Sequence, residues 1–487
     1  MSSIQAQDFL LLAPEILLAT AGLVLLVVGS VGRGTGNRES AGLALVALAL
    51  CAGFVFWVQV GLVPDGRVLL GGSFVLDGFA FFWKVLVLLA TALTVLLSVR
   101  FVEEGRCRPA EYYALLLLAT SGMLFMASAL SLLAIWISLE LMALASYVLA
   151  GYFKAERKSI EAALKYFVLG ALSSGILLYG ISLLYGATGT IQLTALATAL
   201  PQAVARGDLL VPLGWILLAV GLFFKVAAAP FHVWTPDVYV GAPTPVTAYL
   251  ATASKAASFA ILLRIFYQAL PGVRVDWQLI MALVAGMSMI WGNLAALTQD
   301  NVKRMLAYSS IGHAGYILVG VVAVNEVGAW AVAFYLLAYS FITAGAFGTV
   351  VLLERREYAG ENCADYAGLH RRSPFLAAMM LVFMLALTGI PPTGGFVGKF
   401  YLFAAAVEAG WIWLAVVGVL MSAVSLYFYF RIVVYMYQYD ESASTPVPLR
   451  APALVGTIAA CAAVTLLLGL FPGPFIEWAR ASSLPLP

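Results

Sequence analysis

Fourteen apolar stretches follow one another along the chain, at about residues 9–29, 41–61, 74–99, 112–128, 131–151, 162–187, 209–241, 245–268, 278–298, 304–324, 328–353, 375–410, 411–437 and 451–471, bounded by charge, Gly or Pro. A helix rising about 1.5 Å per residue needs about 20 apolar residues to cross a hydrocarbon layer about 30 Å thick. Most of the stretches meet that length. Only 10% of the 487 residues are charged and 63% are apolar, whereas soluble domains carry about 25% charged residues. The pattern excludes a soluble globular protein and implies an all-α polytopic membrane protein of about fourteen transmembrane helices. The first stretch, from Phe9, follows no Lys or Arg and has many successors, so it reads as a first span and not as a cleaved signal peptide.

The same figures exclude further classes. A net charge of +2 offers no basic stripe for nucleic acid. Cys51, Cys107, Cys363 and Cys461 form no C-x-x-C pair, so neither iron–sulfur ligands nor a disulfide framework are indicated, and Cys51 and Cys461 read as small buried hydrophobes. There is no G-x-G-x-x-G after a strand, no G-x-x-x-x-G-K-[ST] loop and no pair of haem-like histidines; GGFVGKF has the wrong spacing. No cofactor or metal is therefore expected in this chain. Any redox centres that supply its energy belong on partner subunits.

Orientation follows from Lys and Arg. With fourteen spans, the odd-numbered loops carry sixteen of the 26 basic residues, Arg33, Arg355, Arg356 and Arg450 among them, while the other face carries five. Basic residues concentrate on the cytoplasmic side of membrane proteins. The odd loops are expected there, with both termini periplasmic.

The remaining five, Lys84, Lys165, Lys225, Lys255 and Lys399, fall inside expected spans. A charge at the centre of a spanning helix costs about 2.5–3.5 kcal/mol even on lenient scales. Snorkelling is an adequate account of Lys84, ten residues into its stretch, and Lys165 is equally well read as one more positive charge at the cytoplasmic start of the sixth span. Lys255, nine residues beyond Val246, lies about 13 Å deep, where snorkelling fails. Glu140, in AIWISLELMALASY, reads as the only carboxylate deep in an apolar stretch; it serves either a static ion pair or a proton relay balanced by a lysine. His313, in AYSSIGHAGYILVG, is about 12 Å deep and has Tyr308, Ser309 and Ser310 as hydrogen-bond candidates. His370 is expected in a loop, facing solvent.

Two stretches, 209–241 and 375–410, are too long for one helix and too short for two. In GLFFKVAAAPFHVWTPDVYVGAPTPV, Pro230 removes a helical hydrogen bond and breaks the seventh span, with Lys225 before the break and His232 after it. In LTGIPPTGGFVGKFYLF, Gly389, Pro391, Pro392 and Gly394 interrupt the twelfth, and Lys399 follows. Unwound backbone at membrane depth is tolerated where it is buried in protein or lines a wet cavity. Both breaks mark an internal polar pathway, against the plainer reading of a structural kink.

The broken helices occupy the fourth place in two consecutive five-helix units, spans four to eight and nine to thirteen. Five is odd, so the units lie in opposite orientations, the arrangement of inverted-repeat transporters. The expected organisation is 1–110, an N-terminal three-helix segment; 111–270 and 271–440, the two repeats; and 441–487, a last helix and tail. Titratable groups through the span middles suit protons. Anionic substrates call for arginine clamps, and a sodium cage for several carboxylates.

GLFFKVAAAPFHVWTPDVYVGAPTPVTAYLATASKAASFA, NVKRMLAYSSIGHAGY and LTGIPPTGGFVGKF closely resemble the antiporter-like subunits of respiratory complex I, and the similarity runs over essentially the whole chain. The resemblance implies fourteen helices with two inverted, broken-helix bundles, and roles for matching residues. Glu140 corresponds to a fifth-span glutamate and Lys225 to the lysine of the broken seventh span, a pair governing proton loading and release. Lys165 matches a sixth-span lysine, His232 and Lys255 match polar groups leading to the centre, His313 a tenth-span histidine and Lys399 the lysine of the broken twelfth span. Lys84 matches nothing in the pattern. The resemblance further implies a bacterial inner membrane, other membrane-arm subunits including antiporter-like paralogues as partners, and, indirectly, a hydrophilic NADH-oxidising arm. Flavin, iron–sulfur clusters and quinone would then reside on those partners. Subunits of multisubunit cation/proton antiporters and membrane-bound hydrogenases share the motifs and stand as the alternative; a free-standing transporter and a static scaffold are rivals of other classes.

Overall fold

The computed structural model describes residues 6–31, 36–106, 108–270, 274–354, 360–439 and 451–484. Cys107, Arg33, Arg355, Arg356 and Arg450, and the expected boundary at 440, lie outside the described residues.

With no water in the hydrocarbon layer, each backbone N–H and C=O must be bonded within its own segment, which makes helices of the apolar stretches. The chain opens with α1 (Ala6–Leu11) and α2 (Ala13–Val31), separated just before Pro14. Next comes α3 (Asn37–Phe56), whose end widens into a π turn over Trp57–Leu62. A two-stranded antiparallel ribbon, β1 (Arg67–Leu69) and β2 (Phe74–Leu76), pairs Val68 with Val75. Then follow α4 (Gly78–Phe101), α5 (Pro109–Ser128), α6 (Leu132–Ala150), α7 (Arg157–Thr188) and α8 (Leu193–Ala205). The stretch 209–241 is two helices, α9 (Leu210–Val226) and α10 (Trp234–Gly241). Helices α11 (Thr244–Tyr249) and α12 (Lys255–Arg264) join through a π turn at Leu250–Ser254 into one crossing, Thr244–Ala269. After them come α13 (Arg274–Leu297), α14 (Val302–Ala323), α15 (Glu326–Leu353) and the single turn α16 (Leu369–Arg372). The stretch 375–410 is α17 (Pro374–Thr388) and α18 (Gly394–Glu408). The chain closes with α19 (Ile412–Gln438), α20 (Pro452–Leu470) and α21 (Gly473–Ala481).

Among the described residues, twelve helices are long and apolar enough to cross a membrane, which makes the chain a multi-pass membrane protein. Side-chain caps fix several starts. Asp77, Ser131, Asn301 and Asn325 accept from the N–H groups of Ala80, Ala134, Arg304 and Gly328, satisfying donors that a first helical turn leaves free. Asp77 thereby starts α4 later than its apolar stretch, whose first residues form β2.

The crossing Thr244–Ala269, with α14 and α15, is enclosed by the others and forms the centre of the fold; α2, α3 and α20 lie at the periphery. Helices approach through small residues, as packing in lipid requires. A Cβ on Gly292 would stand 2.4 Å from the Gly312 backbone nitrogen, so only glycine lets α13 and α14 come this close.

Three expectations are corrected by the packing. Glu140 is not the carboxylate most enclosed in an apolar stretch: Glu15 is fully buried in the first turn of α2. Lys84 does not snorkel: its Nζ lies 2.6 Å from Glu15 Oε1, with the side chain 4% exposed. His370 does not simply face solvent, because its Nδ1 lies 2.7 Å from the Met436 carbonyl oxygen and its ring stacks on Tyr437.

Candidate functional site

Both interruptions are made by left-handed residues and prolines. α9 ends where Ala227 takes φ 60°, and Pro230 sits mid-break in a cis peptide with Ala229. α17 ends at Gly389, φ 90°, before the cis peptide joining Pro391 to Pro392. Gly389 meets two demands at once, since a Cβ there would be strained by φ and would lie 2.9 Å from Lys399 Cδ.

Lys225, Lys255 and Lys399 are buried, and among the described residues none is in an ion pair with a carboxylate. Their partners are neutral. Lys225 Nζ donates to Tyr147 OH at 3.4 Å and lies over that ring. Lys255 Nζ donates to the Ser310 carbonyl oxygen and hydroxyl, both at 2.6 Å, and lies 5.6 Å from the Tyr339 ring centre. Lys399 Nζ donates to the Leu387 and Thr388 carbonyls at 2.9 and 3.0 Å and to Ser422 Oγ at 2.9 Å, and it lies 4.5 Å from the Tyr316 ring centre.

His313 joins the last two lysines. Its Nδ1 is 2.6 Å from Tyr335 OH and its Nε2 3.1 Å from Tyr429 OH, which in turn bonds Ser309. Its ring centre is 5.1 Å from that of Tyr339, under Lys255, and 5.6 Å from that of Tyr316, under Lys399. Lys255, Tyr339, His313, Tyr316 and Lys399 are therefore contiguous. On the other side, Tyr147 meets Tyr166, which stacks on Trp234; Trp234 meets Tyr239, whose OH is 3.5 Å from Ser310 Oγ beside Lys255. The lysines are thus linked by aromatic residues from α6, α7, α10, α14 and α15.

Other expected residues lie elsewhere. Glu140 is half-buried and accepts from Ser174 Oγ, which also accepts from Trp136 Nε1 at 2.9 Å. No described ion pair joins it to Lys225, and Tyr147, two turns further along α6, is the residue that meets the lysine. Lys165 stands at the edge, 41% exposed, 2.5 Å from Asp237 Oδ2 and 2.7 Å from Glu161 Oε1, while Arg304 holds the other Asp237 oxygen. His232 flanks the break with its ring centre 6.1 Å from that of Trp291 and, among the described residues, its Nδ1 has no hydrogen-bond partner.

Sequence reasoning missed the tyrosines, which resemble ordinary core residues. The i, i+4 pair Tyr335 and Tyr339 in a buried span is the one local sign of them. It also missed Arg264, fully buried in α12, whose guanidinium makes a two-pronged pair with Asp77 at 2.9 and 3.0 Å. Burial pushes the Asp77 carboxyl up, but the Arg264 charge and hydrogen bond, with the Ala80 N–H, outweigh it and hold the group below the usual carboxylate range. Among the described residues, no three His, Cys, Asp or Glu side chains gather as a metal site would need.

The chain as a whole is similar to known proteins. Residues 129–425, covering both breaks and Lys225, Lys255 and Lys399, match the family described as NADH:quinone oxidoreductase/Mrp antiporter, transmembrane. NADH-quinone oxidoreductase subunit N of Trichlorobacter lovleyi is 45% identical over 415 residues, 85% of this chain and 84% of that one. A chain of respiratory complex I from Thermus thermophilus with bound aureothin superposes with a TM-score of 0.81 at 36% identity, covering 96% of this chain and 99% of the other. A chain of the Mrp complex from Dietzia sp. DQ12-45-1b gives 0.83 at 25% identity, with 98% and 97% covered. The Mrp likeness reflects the shared architecture, and the much higher identity to subunit N over most of both chains decides between the branches: the chain belongs to the NADH-quinone oxidoreductase subunit N family, the antiporter-like membrane subunits of respiratory complex I.

Proposed function

We propose that this subunit translocates protons along Glu140, Lys225, Lys255, His313 and Lys399, driven by quinone reduction elsewhere in the complex. The observation that carries the reading is that the buried Lys225, Lys255 and Lys399 are held, among the described residues, only by carbonyls, hydroxyls and ring faces and are joined through tyrosines, Trp234 and His313; a further buried lysine, Lys303, donates to the Ala242 carbonyl. An ammonium without a counter-ion is expensive inside a membrane. Its protonation is then set by a few neighbours, and small movements of Tyr147, Ser310 or the end of α17 change the balance between holding and releasing a proton. The His313 imidazole and the Tyr335 and Tyr429 hydroxyls bonded to it both donate and accept, as a relay needs, while Tyr166 and Trp234 contribute ring contacts.

In this reading the subunit is non-redox, and flavin, iron–sulfur clusters and quinone are carried by partner subunits. The units 111–270 and 271–440 act as inverted repeats, each with its broken helix, and the face rich in Lys and Arg is cytoplasmic. Lys165 and His232 serve at the approaches to the axis.

The test is proton release per NADH oxidised by the assembled complex in sealed vesicles, with Lys225→Met and Glu140→Gln. Both variants should lower the ratio sharply while the complex still assembles. Wild-type ratios in both would sink the assignment.

A further inference from the structure

Besides the Asp77–Arg264 pair, the axis leaves unused the Glu15–Lys84 pair, in which both partners are buried. Glu15 and Lys84 lie in the N-terminal helices, outside the matched region 129–425, with their charged atoms 2.6 Å apart and both side chains sealed from solvent. A static ion pair would have its remaining lone pairs satisfied by further hydrogen bonds. Among the described residues, Glu15 Oε2 has no partner, and Oε1 receives only Lys84 and, at 3.5 Å, the Ser128 hydroxyl.

Two further observations point to exchange. A cavity of about 10 Å³, the size needed for one water molecule, touches Lys84 between Pro14, Val58, Gln59 and Phe81. Val58 and half-buried Gln59 belong to the π turn closing α3, a local widening that is frequent at functional sites. Secondly, Asp77, Lys84, Thr91 and Ser98 recur every seven residues, the first capping α4 and the other three on one face of it. Asp77 pairs with Arg264, Thr91 Oγ1 lies 3.1 Å from Thr120 Oγ1, which is 2.8 Å from Tyr249 OH, and Ser98 Oγ lies 2.9 Å from Tyr112 OH. The polar face of α4 thus runs the length of the helix and reaches the enclosed crossing that carries Lys255.

We propose that Glu15 and Lys84 form a second proton-exchange station, separate from the lysine axis and connected to the membrane face that bears the N-terminus. It rests on the proton-transfer reading above. The steps balance simply. A proton moved from Lys84 Nζ to Glu15 Oε1 gives a neutral pair with no net change. A proton passed from Lys84 to water in the cavity leaves a singly negative pair and a hydronium ion; uptake at Oε2 gives a singly positive pair. The groups facing the pair are Cys51 from α3, Asp77 with Arg264 beyond it, and Ser128 from α5.

The experiment compares Glu15→Gln, Lys84→Met, the double variant and Lys225→Met in the assembled complex, measuring assembly and protons released per NADH. Exchange at the station predicts that the double variant, which leaves no buried unpaired charge, assembles normally yet loses as much of the ratio as Lys225→Met, within a factor of two. A double variant that pumps like wild type while Lys225→Met fails would overturn the station and leave the axis standing. Failure of Lys225→Met, together with Glu140→Gln, to change the ratio would overturn the axis, and the station with it. If single variants do not assemble, the charge-neutral double variant decides alone.

Discussion

Gly389 and Lys399 are fitted to each other: the missing Cβ of the glycine is the space through which the lysine side chain reaches the end of α17. Gly389→Ala should cost roughly 1–2 kcal/mol from the left-handed backbone alone and push Lys399 off the Leu387 and Thr388 carbonyls. We expect an assembled complex with a lower Tm and a reduced proton ratio. A variant with unchanged Tm and ratio would show that the close fit has no role.

Lys255→Met separates stability from function. The methionine occupies a similar volume and removes an ammonium that has no carboxylate partner among the described residues. Eliminating a buried charge without a counter-ion removes its desolvation cost. Thermal unfolding should therefore show a Tm equal to or above wild type while proton release falls; a Tm loss of several degrees would mean that the Ser310 contacts are chiefly structural.

The Asp77 and Arg264 pair should behave oppositely. Asp77→Ala strands a guanidinium that is 1% exposed and should cost about 3–5 kcal/mol. The carboxyl is held below its ordinary range, so its contribution is complete above the unfolded value of about 4 and is lost as pH falls through the lowered folded value. Thermal scans from pH 6 down to pH 3 should show a fall in the wild type that the variant lacks. Parallel curves would remove the pair from the account of stability.

Lys165 sits in a different regime. Exposed pairs are worth about 0–1 kcal/mol and are screened by salt. Lys165→Met should shift Tm by less than the Asp77 variant and change the salt dependence of activity, since α10 loses one of its two cationic contacts at Asp237. A loss of pumping as deep as that of Lys225→Met, independent of salt, would place Lys165 in the axis itself.

Much of this was legible in the chain because membrane burial makes charge conspicuous. Lys225, Lys255 and Lys399 announce themselves in apolar stretches, and prolines and glycines mark where the helices stop. Depth along a helix is readable; the neighbour it faces is not. Glu15 follows Pro14 near the start of its stretch and resembles a terminal charge, although α5 covers it; Lys84 resembles a snorkelling lysine, although Glu15 is within 2.6 Å. Tyr316, Tyr339 and Tyr429 look like packing residues because a hydroxyl adds little to the hydropathy of a ring, yet they connect the buried bases. His232 and Lys165 carry the right chemistry at the right positions in sequence, but tertiary packing turns His232 to Trp291 and Lys165 to the surface.

The carbonyls that hold Lys399 are the last of a half-helix, whose aligned peptide dipoles amount to roughly half a negative charge at that end. Such a counter-charge cannot rotate away as a carboxylate can. The ammonium is therefore tied to the pose of α17 as a whole, and any event that tilts or translates that segment is reported directly in the electrostatics of a single nitrogen atom.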